Sequence, residues 1–547
     1  MKYFLKLTFF VCAISLLSSC GKNNEAGKMI PKDALFVAQI NLKSMNSKLS
    51  WNDIKQTSWY QKAYSDSSIP EWRRKILENP SASGIDFDEG LIFFMAKDSG
   101  AEYIAAEGKL KSQKDFEQFN KNSDPSQTVK KEGKINLLIL KDKNVVGWDN
   151  DHFVYVMNPR TTSSQIYKWN DSANLQGNNE PVDRSAQLAT VCQNLFNLKS
   201  GNSLSKDEHF AALIKESGDI HVWQNTEAII KSSSSLGMLG MLKLDAFTKD
   251  NFSTYTVNFD KGKVNVDQKT YASKELTDIV KKYSGSSVNM DMIKNIPSQD
   301  IIGLFAFNFK SEGITELIKL TGADGMVNSY AQQLGFSLDD FSKATNGDWL
   351  LALTDLKINA DSLRKPDYNF LFSTGIGNKA SFQKLLDAVK KTSSLSGNDS
   401  AVNYVSNDKT FALSNSNSFA AQYLNGQNNK FDFADKISGH PVAFYLDMHK
   451  ILSQFSTLQT TKTERKEMLN ESLQMWNNII STGGEFKDDG FAFHTEINLI
   501  NKDTNSLRQL NNYFNKMYQI NQAEKEKSTA KLDSLLVPPP IDTVKVK

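Results

Sequence analysis

The chain has 547 residues, 39% hydrophobic and 23% charged, the make-up of a folded globular protein with material for two or more cores rather than of a disordered one. Its 64 basic and 62 acidic residues nearly balance, and loss of residues 1–19 would remove two lysines and no acid, leaving 64 − 2 = 62 against 62. That neutrality argues against nucleic acid as a partner and against a broad polybasic membrane patch, since both need an excess of Lys and Arg.

At the start, Lys2 and Lys6 precede an apolar run that closes on Leu17-Ser18-Ser19-Cys20-Gly21. The run is too short to cross a bilayer and small residues stand just before a cysteine, so residues 1–19 read as a cleaved signal and not as a membrane helix. The pattern resembles the type II signal peptide of bacterial lipoproteins. That resemblance implies a mature chain beginning at Cys20, whose thiol takes a diacylglyceryl group and whose freed amine takes an acyl chain. Several chains at about 0.8 kcal/mol per buried methylene make such an anchor effectively permanent. Residues 20–28 hold almost no apolar side chain and are expected to act as a lipidated tether.

Next come a first strand in Phe36-Val-Ala-Gln-Ile and a helical stretch bearing Trp51, Trp59, Tyr60 and Trp72. These rings could stack on a glycan, but at helical spacing they read more readily as packed side chains. Acids gather at Asp86, Asp88 and Glu89 and again at Asp149, Asn150 and Asp151. Neither spot has the full spacing of a calcium loop, and Asp and Asn between strands make turns, so both are read as turns. Phe116 and Phe119 mark a helix, as do Phe382, Leu385, Leu386 and Val389 after the strand Tyr368–Phe372, with Asn378 as its cap. Asp260-Lys-Gly262 and Asp488-Asp-Gly490 each separate two strand patterns and predict hairpins.

An internal repeat runs through these elements. Ile30-Pro31 and the strand that follows return as Ile296-Pro297 and Leu304-Phe-Ala-Phe-Asn308, and the pairs Pro31/Pro297, Asp142/Asp408 and Phe153/Phe419 share one spacing, 297 − 31 = 266. Gly84–Asp88 matches Gly335–Asp339 in the same order. Glu216-Ser-Gly218 before Ile220-His-Val-Trp223 matches Ile437-Ser-Gly439 before Val442-Ala-Phe-Tyr445 at 439 − 218 = 221, which places an extra segment of 266 − 221 = 45 residues at about 158–207. The expectation is an α+β fold in two tandem copies, residues 29–285 and 295–520, each a mostly antiparallel sheet with helices packed on one face. Residues 521–547, with Pro538-Pro539-Pro540 and a terminal Lys547, are expected to form a disordered tail.

Chemistry is sparse. Of three cysteines, Cys12 leaves with the signal and Cys20 carries lipid, so Cys192 is alone; with Leu188, Val191, Leu195 and Phe196 at helical spacing it reads as a buried small apolar residue. The six histidines, His152, His209, His221, His440, His449 and His494, make no metal-ligand spacing, and no nucleophile elbow, phosphate loop or dinucleotide fingerprint is present. No cofactor, metal site or catalytic residue is assigned.

The cysteine signal, Ile30-Pro-Lys-Asp-Ala34, Asn41-Leu-Lys43-Ser44 at the end of the first strand and the two-copy layout together resemble a family of uncharacterised Bacteroidota envelope lipoproteins, classed as a domain of unknown function. The resemblance implies an outer-membrane lipid anchor, facing the periplasm or the cell surface, and carries over no catalytic residue. Two functions are expected: a non-catalytic binding or scaffolding protein with an envelope protein or glycan as partner, or an envelope hydrolase with a convergent site between two lobes.

Overall fold

Alternation of side chains along the strands sets the architecture: in most strands one side is buried and the other partly buried, and both faces of a sheet take some cover. The computed structural model describes residues 27–123, 125–159, 183–232, 245–358, 366–395, 403–456 and 463–536. They fall into two compact units. One takes the described residues of Met1–Asn41, Asn79–Ser217 and His221–Ala228, the other those of Leu42–Glu78, Gly218–Ile220 and Ile229–Lys547.

The first unit is built on strands β1 (Phe36–Ile40), β2 (Leu91–Asp98), β3 (Ala101–Lys109), β4 (Lys130–Glu132), β5 (Ile135–Ile139), β6 (Val145–Trp148), β7 (His152–Met157) and β8 (Ile220–Asn225). Their order is β4-β5-β6-β7-β3-β2-β1-β8, antiparallel from β4 through β1. On one face the helix Gln113–Ser123 sets Phe116, fully buried, between Trp148 and Phe153 at ring-centroid separations of 5.8 and 5.0 Å. On the other, the helix Ser185–Phe196 buries Leu188, Val191, Cys192 and Leu195. The face it covers is fixed by Gly147, where an added Cβ would meet Cys192 Sγ at 2.5 Å.

The second unit holds β9 (Phe252–Asp260), β10 (Lys263–Tyr271), β11 (Ile301–Asn308), β12 (Thr345–Lys357), β13 (Asp367–Ile376), β14 (Asn403–Ser406), β15 (Thr410–Ser414), β16 (Val442–Asp447), β17 (Trp476–Lys487) and β18 (Gly490–Leu499). The order β9-β10-β18-β17-β16-β11-β12-β13-β15-β14 is antiparallel throughout. Both expected hairpins form. In the second, Asp488 and Asp489 lie at φ 48° and 64°, the left-handed pair that a two-residue turn between twisted strands requires. The helix Lys379–Leu395 starts where the cap was expected, Ser381 N donating to Asn378 Oδ1 at 2.9 Å, and packs Phe382 and Leu386 on Phe411. The helix Asn417–Asn425 packs Phe419, Ala420 and Tyr423 on the opposite face, against Ala412 and Leu350.

The mixed α and β class and the antiparallel sheets are as expected, but the expectation of helices on one face is corrected. Phe411 and Ala412 are consecutive on β15 and so point to opposite faces, and a helix covers each, as happens at β7 in the first unit. Three further readings change. The first strand ends at Ile40, and Leu42–Lys48 is already helical. Phe153 lies on a strand and Phe419 in a helix, so the 266-residue spacing does not relate equivalent positions there. The helix Ser506–Leu536 runs well into the expected disordered tail, whose remainder lies outside the described residues. The compact units also divide the chain elsewhere than the two expected modules, since β10 pairs along β18 and takes β9 with it.

Candidate functional site

In the second unit the helix Ser311–Leu320 follows β11, and two more, Asp324–Leu334 and Leu338–Ala344, precede β12. Each boundary has a local cause. Gly335 at φ 100° ends the middle helix, and Ser337 opens the last with a capping box, its Oγ accepting from Asp340 N while Asp340 Oδ2 accepts from Ser337 N. Leu338 N donates to Asn328 Oδ1 at 3.1 Å and ties the last two helices together.

Between them lies a cleft of about 620 Å³ whose rim carries four acids, Glu312, Glu316, Asp324 and Asp339, and two lysines, Lys319 and Lys343, with Tyr283 at one end. Lys319 pairs with Glu316 at 2.8 Å and Lys343 with Asp339 at 2.7 Å, and each pairing raises the lysine's pKa. Glu312 and Asp324 have no ion pair within 4 Å among the described residues, so the cleft is acidic on balance. Asp340, just behind it, is held down to about 2 by hydrogen bonds from Lys384 and Ser337. The serine and threonine hydroxyls are already committed: Thr315 Oγ1 donates to Ser311 O, Ser342 Oγ to Asp339 O and Ser337 Oγ to Asp340. No histidine lines the cleft. Such a surface can hold a polar ligand, but it offers neither a nucleophile paired with a base nor a ring of ligands around one point.

The residues singled out in the sequence are placed elsewhere. Cys20 and Lys547 lie outside the described residues. Cys192 is completely buried, its thiol pushed up to about 12 by burial, its Sγ 3.8 Å from Val154 O. Both acid-rich spots are turns: Asp86 Oδ1 accepts from Asp88 N at 3.1 Å, and Asp149 Oδ1 accepts from Asp151 N and His152 N at 2.9 and 2.8 Å. The aromatic stretch is three helices, Trp51–Lys55, Ser58–Ser65 and Glu71–Glu78. There Tyr60 is buried, Trp51 Nε1 and Tyr60 Oη both donate to Leu77 O, and Trp51 and Trp59 pack edge-on against Tyr60, while Trp51, Trp59 and Trp72 are half-buried. Three of the histidines serve local acid pairs, His440 with Glu485, His494 with Asp267 and His152 with Asp149, and His449 Nδ1 lies 3.1 Å from Leu473 O.

Sequence reasoning missed four buried carboxyls, of which Asp348 accepts from Asn289 and Asn308 and Asp447 from Tyr445 and Lys450 N. Asp219, wholly buried, accepts from Ser44 Oγ at 2.6 Å, Lys48 Nζ at 2.5 Å and Phe259 N at 2.6 Å, so it is fully partnered and structural. Glu107 on β3 is 5% exposed, and its Oε2 has no hydrogen-bond partner. An acid closing the apolar run Tyr103-Ile-Ala-Ala within a strand was the available signal.

Among the described residues no helix is long and apolar enough to cross a membrane. Residues 27–435 match the model of a domain of unknown function, DUF4836, and the chain belongs to that family. No curated protein and no solved structure matches it.

Proposed function

We propose that this is a lipid-anchored lipoprotein of the Bacteroidota envelope, acylated at Cys20, whose duplicated α+β module binds or scaffolds an envelope protein or glycan without catalysing a reaction. Support for the anchor is the Lys2, Lys6 and Leu17–Gly21 pattern, together with a family domain that begins at residue 27, 27 − 20 = 7 residues past the cysteine. Support for duplication is strand order. The run β6-β7-β3-β2-β1-β8 in one unit and β14-β15-β13-β12-β11-β16 in the other follow the same path, with a helix before and after each hairpin on matching faces.

The observation that carries binding over hydrolysis is the acidic cleft, whose serine and threonine hydroxyls are spent on helix carbonyls and a cap and whose charges are unaccompanied by a base-paired nucleophile. A pull-down of the native protein from membranes in gentle detergent tests this reading. A stoichiometric neighbour, lost when Glu312 and Asp324 are both changed to Lys, is the expected result; no partner, together with turnover of an envelope polymer by the purified protein, would overturn it. The anchor has a separate test, in which a clickable fatty acid labels the wild type and not Cys20→Ala.

A further inference from the structure

The unpartnered acid of the first unit sits in a defined row. Antiparallel pairing aligns Gln39 with Ile92, Ile92 with Glu107, Glu107 with Val154 and Val154 with Gly147, so all five positions share one face of the sheet. That is the face beneath the helix Ser185–Phe196, because the Cβ direction of Gly147 leads to Cys192 Sγ. The start of the same helix, which packs on β5, β6 and β7, is tied to the near end of β3, where Arg184 Nη1 donates to Glu102 O at 2.9 Å.

We propose that Glu107 makes the seating of the Ser185–Phe196 helix depend on a proton: with the carboxyl neutral the helix closes over the row, and with it ionised the helix lifts to let water reach the charge. The groups that face Glu107 do not compensate a negative charge. β2 brings Ile92 and Phe94, and β1 beyond it brings Gln39, whose Oε1 is itself buried without a partner. β7 brings Val154 and, one pair further, His152 opposite Lys109; the histidine favours the charged form but sits beside Asp149, and Lys109 is turned to Glu89 at 2.9 Å. The helix brings Cys192, and β3 itself adds Tyr103, neither of them cationic. A buried carboxylate without a cation or a full set of donors costs several kcal/mol, so it takes up a proton or finds water. In keeping with this, burial pushes Glu107 up to about 7, with His152 opposing. Breathing of the helix therefore grows steeper across the pH range around neutrality.

Cys192 reports that opening directly, since a thiol buried and raised to about 12 reacts only when the helix leaves the sheet. The test uses the full-length chain with Cys12→Ser and Cys20→Ala, so that Cys192 is its lone thiol. Labelling by a disulfide reagent is measured at each pH and divided by the rate for the same protein in urea, which removes the intrinsic pH dependence of the thiol. From about pH 5.5 to about pH 8.5 the ratio should rise about 30-fold, as linkage gives for a carboxyl moved from 4.5 to about 7, and Glu107→Gln should abolish the rise. A flat profile in the parent protein, or an equal rise in Glu107→Gln, would overturn the proposal. Should Glu107→Gln label at the unfolded rate at every pH, Glu107→Leu, which asks for no hydrogen bond, takes its place under the same criterion.

Discussion

In the first unit the row beneath the helix that follows the hairpin reads Gln39, Ile92, Glu107, Val154, and in the second the row in the same place in the strand order reads Ala306, Leu350, Ser373, Ala412. The second row is packed and its own polar side chain is satisfied, although the hydroxyl of Tyr423 above it is buried without a partner. Ser373 is completely buried, yet its Oγ donates to Phe411 O at 2.8 Å, and small neighbours let Tyr423 settle over it. The first row places a carboxyl where the second places a hydroxyl, and leaves one of its oxygens unmatched. One strand arrangement thus accepts a small satisfied polar group at this point, so nothing in the backbone demands the acid. Its presence costs stability in the charged form, and that cost is what a proton can switch.

The sharpest way to break the comparison is to move the acid. Ser373→Glu puts a carboxyl under the Asn417–Asn425 helix with no cation to meet it, and should cost about 4 kcal/mol at neutral pH by urea unfolding, less in acid. Glu107→Leu is the reverse experiment. The folded state holds the Glu107 proton up to about 7 while the unfolded chain releases it near 4.5, so wild-type stability falls as pH climbs through that window and is level above it. The leucine variant should therefore gain up to about 3 kcal/mol over the wild type above pH 7, and this part of its advantage should vanish below about pH 4.5.

Smaller effects sharpen the same contrast. Gly147→Ala drives a methyl into Cys192 Sγ and should cost about 2 kcal/mol, with faster labelling of Cys192 at all pH values. Ser373→Ala removes one buried hydrogen bond together with its donor, leaving Phe411 O to its strand partners, and should cost about 1 kcal/mol with no dependence on pH. A pH-dependent Ser373→Ala, or a pH-independent Glu107→Leu, would erase the distinction between the two rows.

Much of this was legible in the residues because it is local. The hairpin at Asp488-Asp-Gly490, the cap at Asn378 and the helix of Phe116 follow from backbone preferences and periodicity within a few positions, and each forms as expected. Phe153 and Phe419 show where such reasoning fails: equal spacing and identical residues do not guarantee equal structure. The cleft was invisible for a related reason. Glu312, Asp324 and Asp339 stand on three different helices, and only their packing brings them to one rim.

By itself the sequence determined the α+β class, the antiparallel hairpins and the burial of Cys192, because alternation, turn chemistry and helical spacing act over short distances along the chain. Tertiary structure decided what lies across from what. That β3 pairs with β7, that helices cover both faces of each sheet, and that Glu107 is thereby shut in beside Val154 depend on contacts between residues dozens of positions apart. Whether a carboxylate in a strand meets water or an apolar wall is settled by those contacts, since its charge is cheap in one and costly in the other.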